Sequence, residues 1–208
     1  VLIARGEDRL RAAAERIGAR CLVADAADET QMAAAIDALD QVHLLVHSAG
    51  VLRGTFLRKL SLDDLDHVLR ANLRSAFVTT QAVLPKMPVG GRLIYISSSS
   101  SKEPMKGRTA YSASKAGLDA FASALRREVS RDGINVNLVT PAPVETEMLE
   151  EVTFEMVALQ VSDVAAAVTF LDSLHPRVVV PEIYMYANPE GPLAPPPLLP
   201  EAARRKQR

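Results

Sequence analysis

Residues 92–139, RLIYISSSSSKEPMKGRTAYSASKAGLDAFASALRREVSRDGINVNLV, decide the fold. They open with Arg92–Ile96, an apolar run of strand length that leads into five consecutive serines, Ser97–Ser101. A helical pattern over Thr109–Val129 follows, and Ile134–Val139 is strand again. A helix between two buried strands is the crossover that a parallel pair requires.

The same unit recurs on the N-terminal side. Val1–Ala4 is a short strand, and Glu7–Ile17 a helix with Leu10, Ala13, Ala14 and Ile17 on one face and Gly18 closing it. Arg20–Ala24 is the next strand, with Asp25 at its end and a helical run Asp28–Leu39 behind it. Val42–Val46 is a further strand, followed by a loop through Gly50 and a long helix from about Leu62 to Met87. Ser61 is a good N-cap for that helix, and Asp64 lies in its first turn, where the helix dipole favours negative charge. On the C-terminal side a weaker helix, Ser162–Leu174, precedes a last strand, Val178–Tyr186. Apolar strands that alternate with helices, without strict period-two patterning overall, predict an α/β protein: a doubly wound parallel sheet in three layers.

One domain is expected over residues 1–187. Beyond it, Pro189, Pro192, Pro195, Pro196, Pro197 and Pro200 precede the basic end Arg204–Arg208, a composition that builds no core. Residues 188–208 are expected to be a disordered spacer, with a proline-rich docking segment as the alternative. Basic and acidic residues nearly cancel, 24 against 25, leaving a net charge of −1 and no footprint for nucleic acid. No apolar run is long enough for a membrane helix and no signal peptide opens the chain, so the cytoplasm is the expected location. Cys21, the single cysteine, lies in an apolar run and is expected to be a buried thiol. No pair of the four histidines has metal-ligand spacing on a shared face, so no metal is expected.

In a doubly wound sheet, ligands sit beyond the carboxyl ends of the strands. Here those ends lead into Arg5, Asp25, Ser48–Gly50, Ser97–Ser101 and Thr140–Thr146. Tyr111 and Lys115 stand four apart in the helix after the serine run, hence on one face and able to act on one ligand. A Tyr and a Lys at this spacing are by themselves an ordinary helix surface. A serine at the end of the preceding strand supplies a hydroxyl that could meet the tyrosine across a pocket, and three agreeing features outweigh the ordinary reading.

These residues also carry a resemblance. Leu45-Val46-His47-Ser48-Ala49-Gly50, Asn72 in a long helix, Ile94-Tyr95-Ile96-Ser97-Ser98, Tyr111-Ser112-Ala113-Ser114-Lys115 and Pro141-Ala142-Pro143-Val144-Glu145-Thr146 resemble, in order and spacing, the short-chain dehydrogenase/reductase family. The family's serine precedes its tyrosine by thirteen residues, which selects Ser98 from the five.

The resemblance implies a Rossmann-like fold and an NAD(P)-dependent oxidoreductase that interconverts a small-molecule carbonyl and an alcohol. Tyr111 would be the general acid or base, and Lys115 would favour its phenolate and hold the nicotinamide ribose. Ser98 would hydrogen-bond the reacting oxygen, and Asn72 would hold a water that links the lysine to solvent. The lesser alternative for Asn72 is a polar helix residue that simply faces water.

On the cofactor side, Arg5 stands where an acidic residue would select NAD. Its planar fork suits a 2′-phosphate, so NADP is expected over NAD, the alternative being an arginine that merely faces solvent. Asp25 would touch adenine, and Ser48-Ala49-Gly50, in place of the usual Asn-Ala-Gly, would lie along its ribose. Pro141, Val144 and Thr146 would flank the nicotinamide, with Ala142 in place of a glycine. The family pairs through its long helices, which implies a homodimer or homotetramer.

The pattern begins at what matches the family's second strand, so the first βα unit and its Gly-rich turn are absent. Without that central strand, buried backbone groups would go unpaired at about 1–3 kcal/mol each, and a weakly stable enzyme is expected. A start at Val1 rather than methionine fits a clipped chain or a mis-set start. The rival expectation is a non-catalytic relative or fragment that keeps the tetrad but holds no dinucleotide. Between Thr146 and Ser162 the sequence is short; Leu149, Val152, Phe154, Met156 and Leu159 would line the pocket or form helix core.

Overall fold

The computed structural model describes residues 1–146 and 157–189. The proline-rich tail from residue 190 onward, and Leu149, Val152, Phe154 and Met156, lie outside the described residues; Leu159 is described and buried. The elements are β1 (Leu2–Ala4), α1 (Glu7–Ile17), β2 (Cys21–Val23), α2 (Glu29–Asp37), β3 (Leu44–His47), α3 (Leu62–Leu69), α4 (Ser75–Val83), β4 (Arg92–Ile96), α5 (Thr109–Glu128), β5 (Asn135–Pro141), α6 (Val161–Ser173) and β6 (Glu182–Met185).

The caps read from sequence form. Gly18 ends α1 at φ 64°, a left-handed conformation that glycine adopts without a Cβ penalty, and its N–H donates to Ala14 and Glu15. The side chains of Asp28 and Ser61 accept the N–H groups of Gln31 and Asp64 at the starts of α2 and α3. The long helix expected over residues 62–87 is not one regular helix. It passes through a π-helical turn, Arg70–Arg74, and ends in a 3₁₀ turn, Leu84–Lys86, at Pro85. The last strand is shorter than expected, because Val178 turns back on His175 and pairing starts only after Pro181.

Every strand pair is parallel, but the strands form two sheets: β1–β2, and β3–β4–β5–β6 in that order. No described strand pairs with the second edge of β1 or of β3, as expected when no strand stands between them. The faces there are thinly covered: Val23 and Val46 are exposed, and Cys21, expected to be buried, is only half-buried. In β4 and β5, by contrast, successive side chains feed two cores on opposite faces. Leu93, Tyr95, Val136 and Leu138 pack with residues of α2, α4 and α5, while Ile94 and Val139 pack with Ala167 and Leu171 of α6. This is the three-layer α/β arrangement expected. Ala24, Met32 and Ile36 belong to the first of these cores, so β1–β2 is joined to the body through side chains rather than through backbone pairing. Among the described residues no helix is long and apolar enough to cross a membrane.

Candidate active site

A cavity of about 240 Å³ opens at the carboxyl ends of β3, β4 and β5. Ser98, Tyr111 and Lys115 line it together with Ser48, Gly50, Pro141, Val144 and Thr146, so most of the residues singled out in the sequence meet at one place. Leu52, Met105, Arg108, Val161 and Val164 complete the wall, and none of them was singled out. Arg108 had one signal in the sequence, its place three residues before Tyr111 at the start of α5. The apolar residues had none, because they come from segments far apart in sequence.

Lys115 is buried on α5, where its ammonium donates to the carbonyl of Ile96 at 2.8 Å and lies 5.9 Å from the centre of the Tyr111 ring. Burial draws its pKa down to about 8, against the opposing charge of Asp119. Tyr111 is also buried, and burial pushes its phenol up from the ordinary value; Ser98, by a side-chain hydrogen bond, and the charge of Arg108 oppose that shift. Ser98 and Arg108 thus join Lys115, to which the resemblance gives the favouring of phenolate. Ser98 itself is extended and caps the 3₁₀ turn Ser99–Ser101, its hydroxyl accepting the N–H of Ser100.

Asn72 sits in the π turn and is 0% exposed, which rules out the helix-surface reading. Its amide nitrogen donates to Val51 O and Ser114 Oγ, at 3.0 and 2.9 Å, and its oxygen accepts Val51 N–H at 2.7 Å. Both amide hydrogens are therefore committed to protein, and one oxygen lone pair remains for a water. The arrangement anchors the loop after Gly50. A Cβ on Gly50 would stand 3.2 Å from Asn72 Oδ1 and 3.7 Å from Lys115 Nζ, a close approach that a larger residue keeps only if the Asn72 amide gives by a few tenths of an ångström.

His47, at the end of β3, is buried. Its Nε2 lies 3.1 Å from Ser75 Oγ, whose own proton goes to Ala71 O, so Nε2 carries the hydrogen. Burial and the Lys115 charge lower its pKa to about 4. Among the described residues no group of three or more His, Cys, Asp or Glu could hold a metal.

Arg5 and Asp25 lie apart from this cavity, at the ends of β1 and β2. Burial raises the Asp25 pKa, but the Ala27 N–H at 2.9 Å, Arg70 at 3.0 Å and the charge of Arg5 outweigh it and hold the carboxyl low. Arg5 is exposed and close enough for Asp25 to feel its charge. The donor set thus fits the two ends of a dinucleotide. Arg5 offers a cation for a phosphate and Asp25 an acceptor beside it, while Ser48, Thr146 and Lys115 offer hydroxyl and ammonium donors in the cavity. For a pyrophosphate the fit is poor at the Gly6 turn between β1 and α1, because Glu7 and Asp8 occupy the first turn of that helix.

Comparison with known proteins agrees with this geometry. A family model described as short chain dehydrogenase matches residues 1–156. An acetoacetyl-CoA reductase of Acinetobacter sp. is 36% identical over 162 residues, which are 71% of this chain and 65% of that protein. The chain spans about half to two thirds of the length of this relative and of two others, a nodulation protein G of Azospirillum brasilense and an acetoacetyl-CoA reductase of Cupriavidus necator. Among solved structures, BdcA in complex with NADPH superposes with a TM-score of 0.78 at 26% identity, covering 88% of this chain and 80% of that one. A short chain dehydrogenase from Burkholderia cenocepacia in complex with NADP has a TM-score of 0.74 at 29% identity, covering 84% and 79%. Three quarters of the sequence matches one family and the fold agrees with its solved members: the chain belongs to the short-chain dehydrogenase family.

Proposed function

We propose that the protein interconverts a carbonyl and an alcohol with NADP, and that Tyr111 handles the proton of the reacting oxygen. The observation that carries this reading is the single cavity in which Ser98, Tyr111 and Lys115 face Ser48, Gly50, Pro141, Val144 and Thr146. Bound there, the nicotinamide would give or take the hydride. In reduction Tyr111 donates its phenol proton to the carbonyl oxygen, a task suited to a group that burial keeps protonated. In oxidation its phenolate takes the alcohol proton, helped by Ser98 and Arg108. Ser98 holds the reacting oxygen, Lys115 the nicotinamide ribose, and Asn72 the loop beneath them with a water on its free lone pair. Arg5 takes the 2′-phosphate and Asp25 the adenine, with Ser48, Ala49 and Gly50 along its ribose. The relatives with NADPH and NADP in their structures support NADP over NAD. The exposed Phe77 on α4 supports pairing of two copies through the long helices, as a homodimer or a tetramer, and the cytoplasm is the proposed location.

One observation favours the second reading, a relative that binds no dinucleotide: the Gly6 turn leads into Glu7 and Asp8, whose charges oppose a pyrophosphate at the start of α1. Calorimetry with NADPH and NADH on the protein and on Arg5→Ala separates the two. Saturable NADPH binding, weakened by the substitution, is expected, followed by carbonyl reduction that Tyr111→Phe lowers by about 10²–10⁴-fold. A folded sample that binds neither nucleotide would mean that the second reading holds.

A further inference from the structure

The loop that carries Ser98 is held at both ends by one carboxylate. Asp119 lies on α5 four residues beyond Lys115, one turn along the same face. Its Oδ1 accepts the hydroxyl of Ser97, and its Oδ2 accepts the ammonium of Lys102 at 3.1 Å. Ser97 stands immediately before Ser98, and Lys102 immediately after the 3₁₀ turn Ser99–Ser101. The bonds within the loop, Ser100 N–H to Ser98 Oγ, Ser101 Oγ to Ser98 O and Glu103 N–H to Ser99 O, shape it but do not attach it to α5. Lys102 is tied a second time, to Glu182 of β6 at 2.7 Å, and Tyr184 of β6 donates to Glu103 at 3.0 Å. Ser97 is buried, so its hydroxyl would lose a partner that water does not replace if the carboxylate were removed.

We propose that Asp119 is a positioning residue: its carboxylate clamps the Ser98 loop onto the helix that presents Tyr111 and Lys115, and so sets the separation of the serine and tyrosine hydroxyls. Acid–base work needs such groups held within roughly 0.5 Å of the productive geometry, which a serine loop without an external anchor does not secure. The same carboxylate is the negative charge that faces Lys115, whose other titratable neighbours are Tyr111 on its own helix and His47 from β3. Asp119 therefore acts on two members of the site, Ser98 through the loop and Lys115 through its charge. The inference rests on the proposed oxidoreductase activity for its kinetic consequence, but not for its structural one.

The test uses Asp119→Asn, which keeps the shape and removes the charge, with Ser97→Ala and the double variant. Amide hydrogen exchange without ligand is expected to quicken at least tenfold at Ser100–Glu103 in Asp119→Asn and to stay unchanged in β4 and β5. In protein loaded with NADPH, kcat for carbonyl reduction is expected to fall ten- to a hundredfold, with KM and the NADPH Kd within threefold of wild type. The limb of the pH profile governed by Lys115 should move to lower pH. The double variant should be no worse than Asp119→Asn, since both remove the same clamp. Unchanged loop exchange overturns the proposal. So does exchange that rises uniformly through the core, which would make Asp119 a residue of general stability. If the wild-type protein binds NADPH but reduces no carbonyl, the activity reading fails, and the exchange result alone decides whether Asp119 holds the loop.

Discussion

At the scale of single residues, the site is governed by burial acting on three titratable groups. Tyr111 is pushed up by burial and pulled back by Ser98 and Arg108, so removing either helper leaves burial less opposed. Arg108→Ala should raise the Tyr111 pKa. Alcohol oxidation, which needs the phenolate, should then show its rising limb at higher pH, while reduction at neutral pH changes little; kcat/KM profiles in both directions check this. His47 titrates differently in the folded and unfolded chain, at about 4 against 6.5. Because the folded value is the lower one, its neutral ring contributes stability above pH 6.5 that is lost as pH falls toward 4. The loss amounts to about 3 kcal/mol by proton linkage. Urea midpoints measured from pH 7 to 4 should fall steeply for the wild type and less steeply for His47→Gln. Lys115 and Tyr111 were legible only together with the serine after β4 and the family resemblance, since their spacing alone is an ordinary helix surface. Arg108 precedes α5 as its N-cap residue and Asp119 lies within the helix, but what each does depends on its neighbours in space, Tyr111 for the one and Ser97 with Lys102 for the other.

At the scale of elements, the informative feature is the π turn that interrupts the α3–α4 helix. Its sequence, Arg70-Ala-Asn-Leu-Arg74, carries no proline or glycine to announce a break, and a continuous helix is the natural reading. What favours the turn is tertiary: Asn72, buried against Val51 and Ser114, finds there the backbone partners that a fully buried amide requires. Gly50 belongs to the same device. Gly50→Ala would bring a methyl to 3.2 Å from Asn72 Oδ1 and push the amide off Val51. A loss of about 1–3 kcal/mol is expected from such overpacking, read as a lower urea midpoint with an unchanged slope.

At the scale of the whole molecule, the two sheets are joined by one core rather than by one continuous set of backbone pairs. On the outside, Phe77 of α4 stacks on Phe121 of α5 with ring centres 4.2 Å apart, yet remains 44% exposed. Beside it Leu69, Leu73 and Val78 line a groove together with Glu29, Asp66, Arg70, Arg74 and Gln81, so that apolar side chains of the long helices meet charged ones at one surface. Covering this surface with a second copy removes apolar area from water. Phe77→Asp should therefore shift sedimentation toward the monomer, with the circular dichroism of the helices unchanged.

The sequence by itself determined the parallel α/β architecture and the caps at Gly18, Asp28 and Ser61, while the family resemblance picked out Ser98, Tyr111 and Lys115. All of these depend on local patterning, such as strand-length apolar runs, helical periodicity and fixed spacing along one chain segment. Tertiary structure decided the rest. The burial of Asn72, the balance of forces on the Tyr111 phenol, the clamp at Asp119 and the apolar wall from Leu52 to Val164 each join segments distant in sequence. Desolvation and hydrogen-bond pairing depend on what surrounds a group in space, and a linear pattern does not contain that information.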